Sequence, residues 1–202
     1  RMGVAQLTIL LALVFMPRAQ AAWLGRLDPN QLLGPWFVLA VASREKGFVL
    51  ERDMRTAEAV VVTLTAESKL ELLSSRQGLE GCIQSVMHLQ RQDSGWVFQN
   101  PSLGVLEYRV LGTNFRDYAI VFTQLEFGDE AFNTVQLYSR TEMASEEAMR
   151  LFTKWSKDLG FWPQQQAQLR RDFSCAHRIL QVNRLPLLYR PGSLGEERRP
   201  GA

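Results

Sequence analysis

Hydrophobic positions along this chain follow two rhythms. Between residues 36 and 139 they gather in short runs rich in Val, Leu, Ile, Phe, Tyr and Thr, separated by turn residues. The runs predict eight strands: Trp36 to Glu45, Ala57 to Thr65, Lys69 to Ser75, Cys82 to Gln90, Gly95 to Gln99, Val105 to Thr113, Tyr118 to Leu125 and Thr134 to Ser139. Turns such as Ala66-Glu67-Ser68, Asn100-Pro101-Ser102 and Gly128-Asp129-Glu130 are too short for a crossover helix, so neighbouring strands pair antiparallel. One connection is long: Lys46 to Arg55, with exposed apolar residues, has the length and composition of a lid. The second rhythm follows the strands. Ala148, Leu151, Phe152, Trp155 and Leu159 recur at helical spacing behind Ser145, a capping residue, with Gly160 as the stop. This stripe reads as a face packed on the chain's own sheet rather than one kept for a partner.

The fold class expected is therefore all-β with one C-terminal helix. Eight antiparallel strands hide their edges by closing into an up-and-down β-barrel, whose interior holds one small ligand. The same composition also fits a sandwich. Ahead of the strands, Arg1-Met2-Gly3 precedes a nearly unbroken apolar run from Val4 to Phe15, and Ala19-Gln20-Ala21 offers a small-x-small cleavage pattern. We read residues 1–21 as a signal peptide, since a run of about a dozen residues is too short to span ~30 Å of hydrocarbon. Residues 22–175 form the barrel domain with its helix. Residues 176–202 carry no periodic pattern and are expected to be a mostly disordered tail. The expected location is extracellular, with no integral membrane segment.

Secretion bears on the cysteines. Cys82 and Cys175 are an even pair in an oxidising compartment, which reads as a disulfide, with two buried thiols as the alternative. No CxxC or HxxxH spacing brings them together with His88 or His177, so no metal site is expected. The formal charge of +2 belongs to the ends. Arg1 and Arg18 lie in the signal segment, and residues 176–202 hold five Arg and two Glu, leaving −3 on residues 22–175. Without a basic face interleaved with aromatics, a nucleic-acid role is not supported.

Three motifs, in order, decide between barrel and sandwich. Gly34-Pro35-Trp36 opens the first strand behind a helical turn that Asp28-Pro29 can start. Thr113-Asn114-Phe115-Arg116-Asp117-Tyr118 forms a turn. Arg140 follows Leu137-Tyr138-Ser139, just before the helix. Together they resemble the lipocalin family over Trp23 to Cys175, and segments such as Ser43-Arg44-Glu45-Lys46-Gly47-Phe48 resemble its epididymal members. The resemblance implies a lipocalin-like calyx in which Gly34, Trp36, Thr113 and Arg140 are structural, with Arg140 lying across the Trp36 indole at the barrel floor. It matches the Cys82–Cys175 pair as well.

Strand alternation, anchored on that pattern, predicts a ligand-binding wall. It comprises Val60 and Val62; Leu70 and Leu72; Met87 and Phe98; Leu106 and Tyr108; and Thr123, Thr134, Gln136 and Tyr138. Such a wall suits a small lipophilic molecule with one or two polar groups, of the retinoid, steroid, fatty acid or odorant class. The alternative is an interior filled by its own side chains. No inward Arg or Lys is expected at the wall, so a carboxylate would sit at the mouth near Lys46 or Arg52. One lipocalin branch is a prostaglandin isomerase with a nucleophilic Cys in its second strand; here that strand reads Ala57-Glu58-Ala59-Val60-Val61-Val62-Thr63. No catalytic constellation is seen, no cofactor is implied, and the chain reads as a binder rather than an enzyme. The role implied is transport in male reproductive tract fluid. The alternative role is recognition of a cell-surface receptor or protein on sperm through the lid or tail.

Overall fold

The structure, a computed structural model, describes residues 29–181 apart from 68 and 93–96. The expected signal peptide, Asp28 and most of the expected tail lie outside the described residues. Eight strands run as an antiparallel meander: β1 Gly34–Ser43, β2 Glu58–Leu64, β3 Leu70–Gly78, β4 Gly81–Gln92, β5 Val97–Asn100, β6 Val105–Thr113, β7 Tyr118–Phe127 and β8 Glu130–Ser139. β1 closes the sheet on itself. Its first half pairs with β2 (Gly34 opposite Val62, Val38 opposite Glu58) and its second half with β8 (Ser43 opposite Thr134). The result is a closed barrel, which settles the choice against a sandwich.

A ninth strand, β9 Gln166–Gln168, adds to β1 at Ala40–Ala42. Three residues are too few to carry a period, and its pairing is supplied by backbone groups rather than by side-chain pattern. Helix α1, Pro29–Leu32, precedes β1, and α2, Phe48–Glu51, forms inside the β1–β2 loop with Phe48 buried and Val49, Leu50 and Met54 exposed.

Helix α3, Glu146–Asp158, starts where the sequence places its cap: the Ser145 Oγ accepts from the Ala148 N–H at 3.2 Å. Its apolar stripe packs on the outer face of the sheet against Leu111, Ile120, Phe122, Val135 and Leu137, so the stripe belongs to the fold. A fourth helix, α4 Ser174–Leu180, corrects the expectation of no element beyond Cys175. Cys175, Ala176, Ile179 and Leu180 are buried, and the last three pack on Phe37, Leu39, Ala59 and Val61 of β1 and β2. Seven residues make no helix alone. The sheet beneath and the disulfide Cys82–Cys175, whose Cα atoms are 5.3 Å apart, hold this one in place.

Candidate functional site

The floor of the barrel comes first, because it fixes where a cavity can lie. Gly34 takes a φ of +95°, which favours glycine, and a Cβ there would come within 3.3 Å of the Arg140 guanidinium. The turn this permits lays Trp36 across the barrel end, 1% exposed, with its Nε1 donating to Leu32 O at 2.7 Å. Arg140 covers the indole at 3.5 Å and donates to the carbonyls of Pro35, Gln31 and Leu33 at 2.8, 2.9 and 2.7 Å. Burial lowers its pKa to about 10, so it remains a cation at neutral pH. In the β6–β7 turn, Thr113 Oγ1 donates to Tyr118 O at 2.6 Å and accepts from the Phe115 N–H at 2.9 Å, while Asn114 Oδ1 accepts from the backbone N–H groups of Arg116, Asp117 and Tyr118.

The other end is open. A cavity of about 480 Å³ opens between the β1–β2 loop and the tips of the β3–β4 and β7–β8 hairpins. The barrel is therefore not filled by its own side chains. Of the predicted wall residues, Val60, Leu72, Met87, Tyr108, Thr123, Thr134, Gln136 and Tyr138 line this cavity, joined by Val38 and Val41 of β1. Val62, Leu70 and Phe98 also point inward, but they lie in the packed core that surrounds Trp36, off the cavity wall.

Leu106 is a correction. The ladder between β6 and β7 shifts between Val105 and Glu107, so two β6 residues span one step of β7. This bulge breaks alternation. Val105 and Tyr108 both enter the core, and Leu106 is outside it.

The charged lining is the second correction. Arg55 and Arg76 line the cavity together with Lys46, where no inward cation was expected, whereas Arg52 is not on the wall and pairs with Asp53 at 3.2 Å. Arg55 is held by Glu58: Nη2 and Oε1 are 2.5 Å apart, with both side chains largely buried. The Arg55 guanidinium also lies over the Phe48 ring at 5.3 Å, which ties the lid helix to the barrel wall. At the rim, the Lys46 N–H donates to Glu130 Oε1 at 2.7 Å.

Two tyrosines face one another deeper in the cavity. The Tyr108 hydroxyl is buried and makes no well-formed hydrogen bond, although the Tyr138 phenol lies near enough that their contact raises Tyr108 and lowers Tyr138. Burial raises Tyr108 well above an ordinary phenol, and raises Tyr138 to about 12, with the Glu58 carboxylate adding to the rise. Both stay protonated at neutral pH. Both cysteines of the chain are bound in the disulfide.

Residues 33–166 match the model of the Lipocalin / cytosolic fatty-acid binding protein family. The chain is 70% identical over 179 residues to epididymal-specific lipocalin-6 of Macaca mulatta, covering 89% of this chain and 99% of that protein. It is 70% identical over 163 residues to the Homo sapiens protein of that name, covering 81% of this chain and all of the other. Among solved structures, that described as "The Siderocalin Ex-FABP functions through dual ligand specificities" superposes with a TM-score of 0.67 at 23% identity, over 72% of this chain and 97% of that one. At that identity the likeness speaks for the fold, and it agrees with the closed barrel described above. The chain belongs to the lipocalin family.

Proposed function

We propose that this chain is a secreted carrier of one small lipophilic molecule, taken from the retinoid, steroid, fatty acid or odorant classes. The observation that supports this most is the cavity itself. About 480 Å³ lies inside a closed barrel with one mouth, within the range of small-molecule sites, and its wall combines apolar side chains such as Val38, Val41, Val60, Leu72 and Met87 with hydroxyls, the amides of Gln77 and Gln136 and a set of charged groups. Binding of small hydrophobic ligands is the general property of the family, and the names of the 70%-identical relatives favour action in epididymal fluid. With both cysteines in the disulfide and no base–nucleophile pair in the cavity, we read the site as one for binding and not for catalysis. Tryptophan quenching by a panel of retinoids, steroids and fatty acids tests the reading. Saturation at one ligand per chain is expected; a flat response across the panel refutes it.

A second reading rests on the lid. Leu50 is 85% exposed and Met54 66%, beside a mouth that a receptor on a cell surface would approach. Under that reading, retention on sperm survives when the cavity is blocked and is lost in Leu50→Ser/Met54→Ser. If blocking the cavity abolishes retention, the surface is not the site of recognition.

A further inference from the structure

We infer that Tyr108 is the specificity-determining residue of the cavity. The ligand it reads is a neutral lipophile carrying a ketone or alcohol oxygen at its buried end. This rests on the carrier reading and names the ligand's chemistry.

The first observation is the unsatisfied phenol. Buried side-chain polar atoms nearly always have a partner, and an exception in a native structure calls for one. Tyr108 is 2% exposed and lines the cavity, and its Oη has no partner. Tyr138 stands next to it with its ring against Trp36, centroids 6.2 Å apart, so the pair marks the inner end of the space. Around the phenols the wall combines Val38, Val60, Leu72 and Met87, which donate nothing, with Thr123, the cross-strand partner of Tyr108, and Gln136. An entering oxygen that accepts from Tyr108 completes the buried side-chain polar atom on this wall that lacks a partner among the described residues, while the adjoining part of the molecule meets Val38, Val60, Leu72 and Met87.

The second observation is charge. The lining residues include four carboxylates (Glu45, Glu51, Glu58, Glu130) against three cations (Lys46, Arg55, Arg76). Arg55 is taken by Glu58 and Lys46 lies at Glu130, so the lining carries one net negative charge, with Arg76 on β3 as the cation outside these pairs. At the inner end a carboxylate would be buried near the Glu58 carboxylate, which flanks Tyr138 across Val38 and whose cation, Arg55, is already paired with it, so the anion finds no free countercharge there. A neutral acceptor meets neither penalty.

The test uses the folded protein with four probes followed by fluorescence: progesterone and all-trans retinol as neutral acceptors, oleate as an anion, and pyrene as a hydrocarbon without an acceptor. Wild type is expected to bind at least one neutral acceptor more tightly than oleate. Tyr108→Phe should weaken that probe about tenfold, the worth of one buried hydrogen bond, and leave pyrene within about twofold. The unliganded variant should melt no lower than wild type, because the hydroxyl removed had no partner. A second measurement needs no variant: the carbonyl stretch of bound progesterone should move to lower frequency than in an apolar solvent. Full affinity of Tyr108→Phe for both neutral acceptors, tighter oleate binding, or an unshifted carbonyl overturns the inference and leaves the carrier reading standing. No binding of any probe to wild type overturns both.

Discussion

Removing Arg140 should weaken the whole barrel through its floor. The side chain makes four contacts at once: three hydrogen bonds to the carbonyls of Gln31, Leu33 and Pro35 and a face-on contact with Trp36 at 3.5 Å. Only the bond to Leu33 is partly buried; the other two are exposed. A charged hydrogen bond shielded from water contributes about 1.5 kcal/mol, an exposed one nearer to 0.5, and a partly desolvated cation–π contact about 1–2. Arg140→Ala should therefore cost about 3.5–4.5 kcal/mol, which for a domain of this size lowers the melting temperature by roughly 10 °C. Arg140→Lys keeps the charge, but an ammonium cannot span three carbonyls and lie flat on an indole, so it should recover no more than about a third of the loss. Urea denaturation measures both, with the midpoint falling and the m-value unchanged. A double-mutant cycle with Trp36→Leu should return a coupling of about 1–2 kcal/mol. A loss under about 1 kcal/mol for Arg140→Ala, or wild-type stability for Arg140→Lys, would refute the account of the floor.

Reducing the Cys82–Cys175 bond frees a loop of 93 residues and should lower stability by about 4–5 kcal/mol in the chain-entropy estimate; thermal melts with and without reductant check it. Leu72→Trp should fill the cavity and abolish ligand quenching, while Leu106→Trp, outside the core, should leave it unchanged; equal effects would contradict the bulge in β6. Stability should fall in alkali. Tyr138 ionises at about 12 in the folded state and 10 in the unfolded chain, so over that window the folded state holds the proton the unfolded state gives up. The stability is fully present below pH 10 and is lost as pH rises through the folded pKa, by about 2–3 kcal/mol for two units. Tyr138→Phe should flatten that decline in urea midpoints taken across the same range.

Legibility in the sequence followed the range of the forces that set each element. Strands with a neighbour on each side and one face buried obey a period of two, which is why Val60, Leu72, Thr134, Gln136 and Tyr138 fall on the wall where alternation puts them. α3 is legible for the same local reason, since its cap, stripe and stop all lie within sixteen residues of chain, from Ser145 to Gly160. α4 is not. Its buried side is Cys175, Ala176, Ile179 and Leu180, less than two turns long, and what stabilises it is the outer face of β1 and β2, more than a hundred residues earlier.

The two errors at the cavity have a common cause, and each left a trace. Alternation through β6 from Tyr108 puts Leu106 inward; alternation from Val105 puts Glu107 and Arg109 there instead. No unbroken register buries both Val105 and Tyr108. A bulge between them resolves the conflict, and the structure has one at that point. The inward charge was written in the same way. The alternation that places Val60 and Val62 inside also places Glu58 inside, and a carboxylate in that position needs a cation within reach of its strand. Arg55, three residues upstream and just ahead of the strand, is the one the fold supplies. Phe48 of the lid then packs under the same guanidinium, so the lid, the ion pair and the first cavity-facing turn of β2 are held as a unit. Glu58 and Tyr138 flank Val38 on neighbouring strands, so the ion pair that fixes the lid reaches the level of the phenols, and a single salt bridge joins the mouth of the barrel to its inner polar groups.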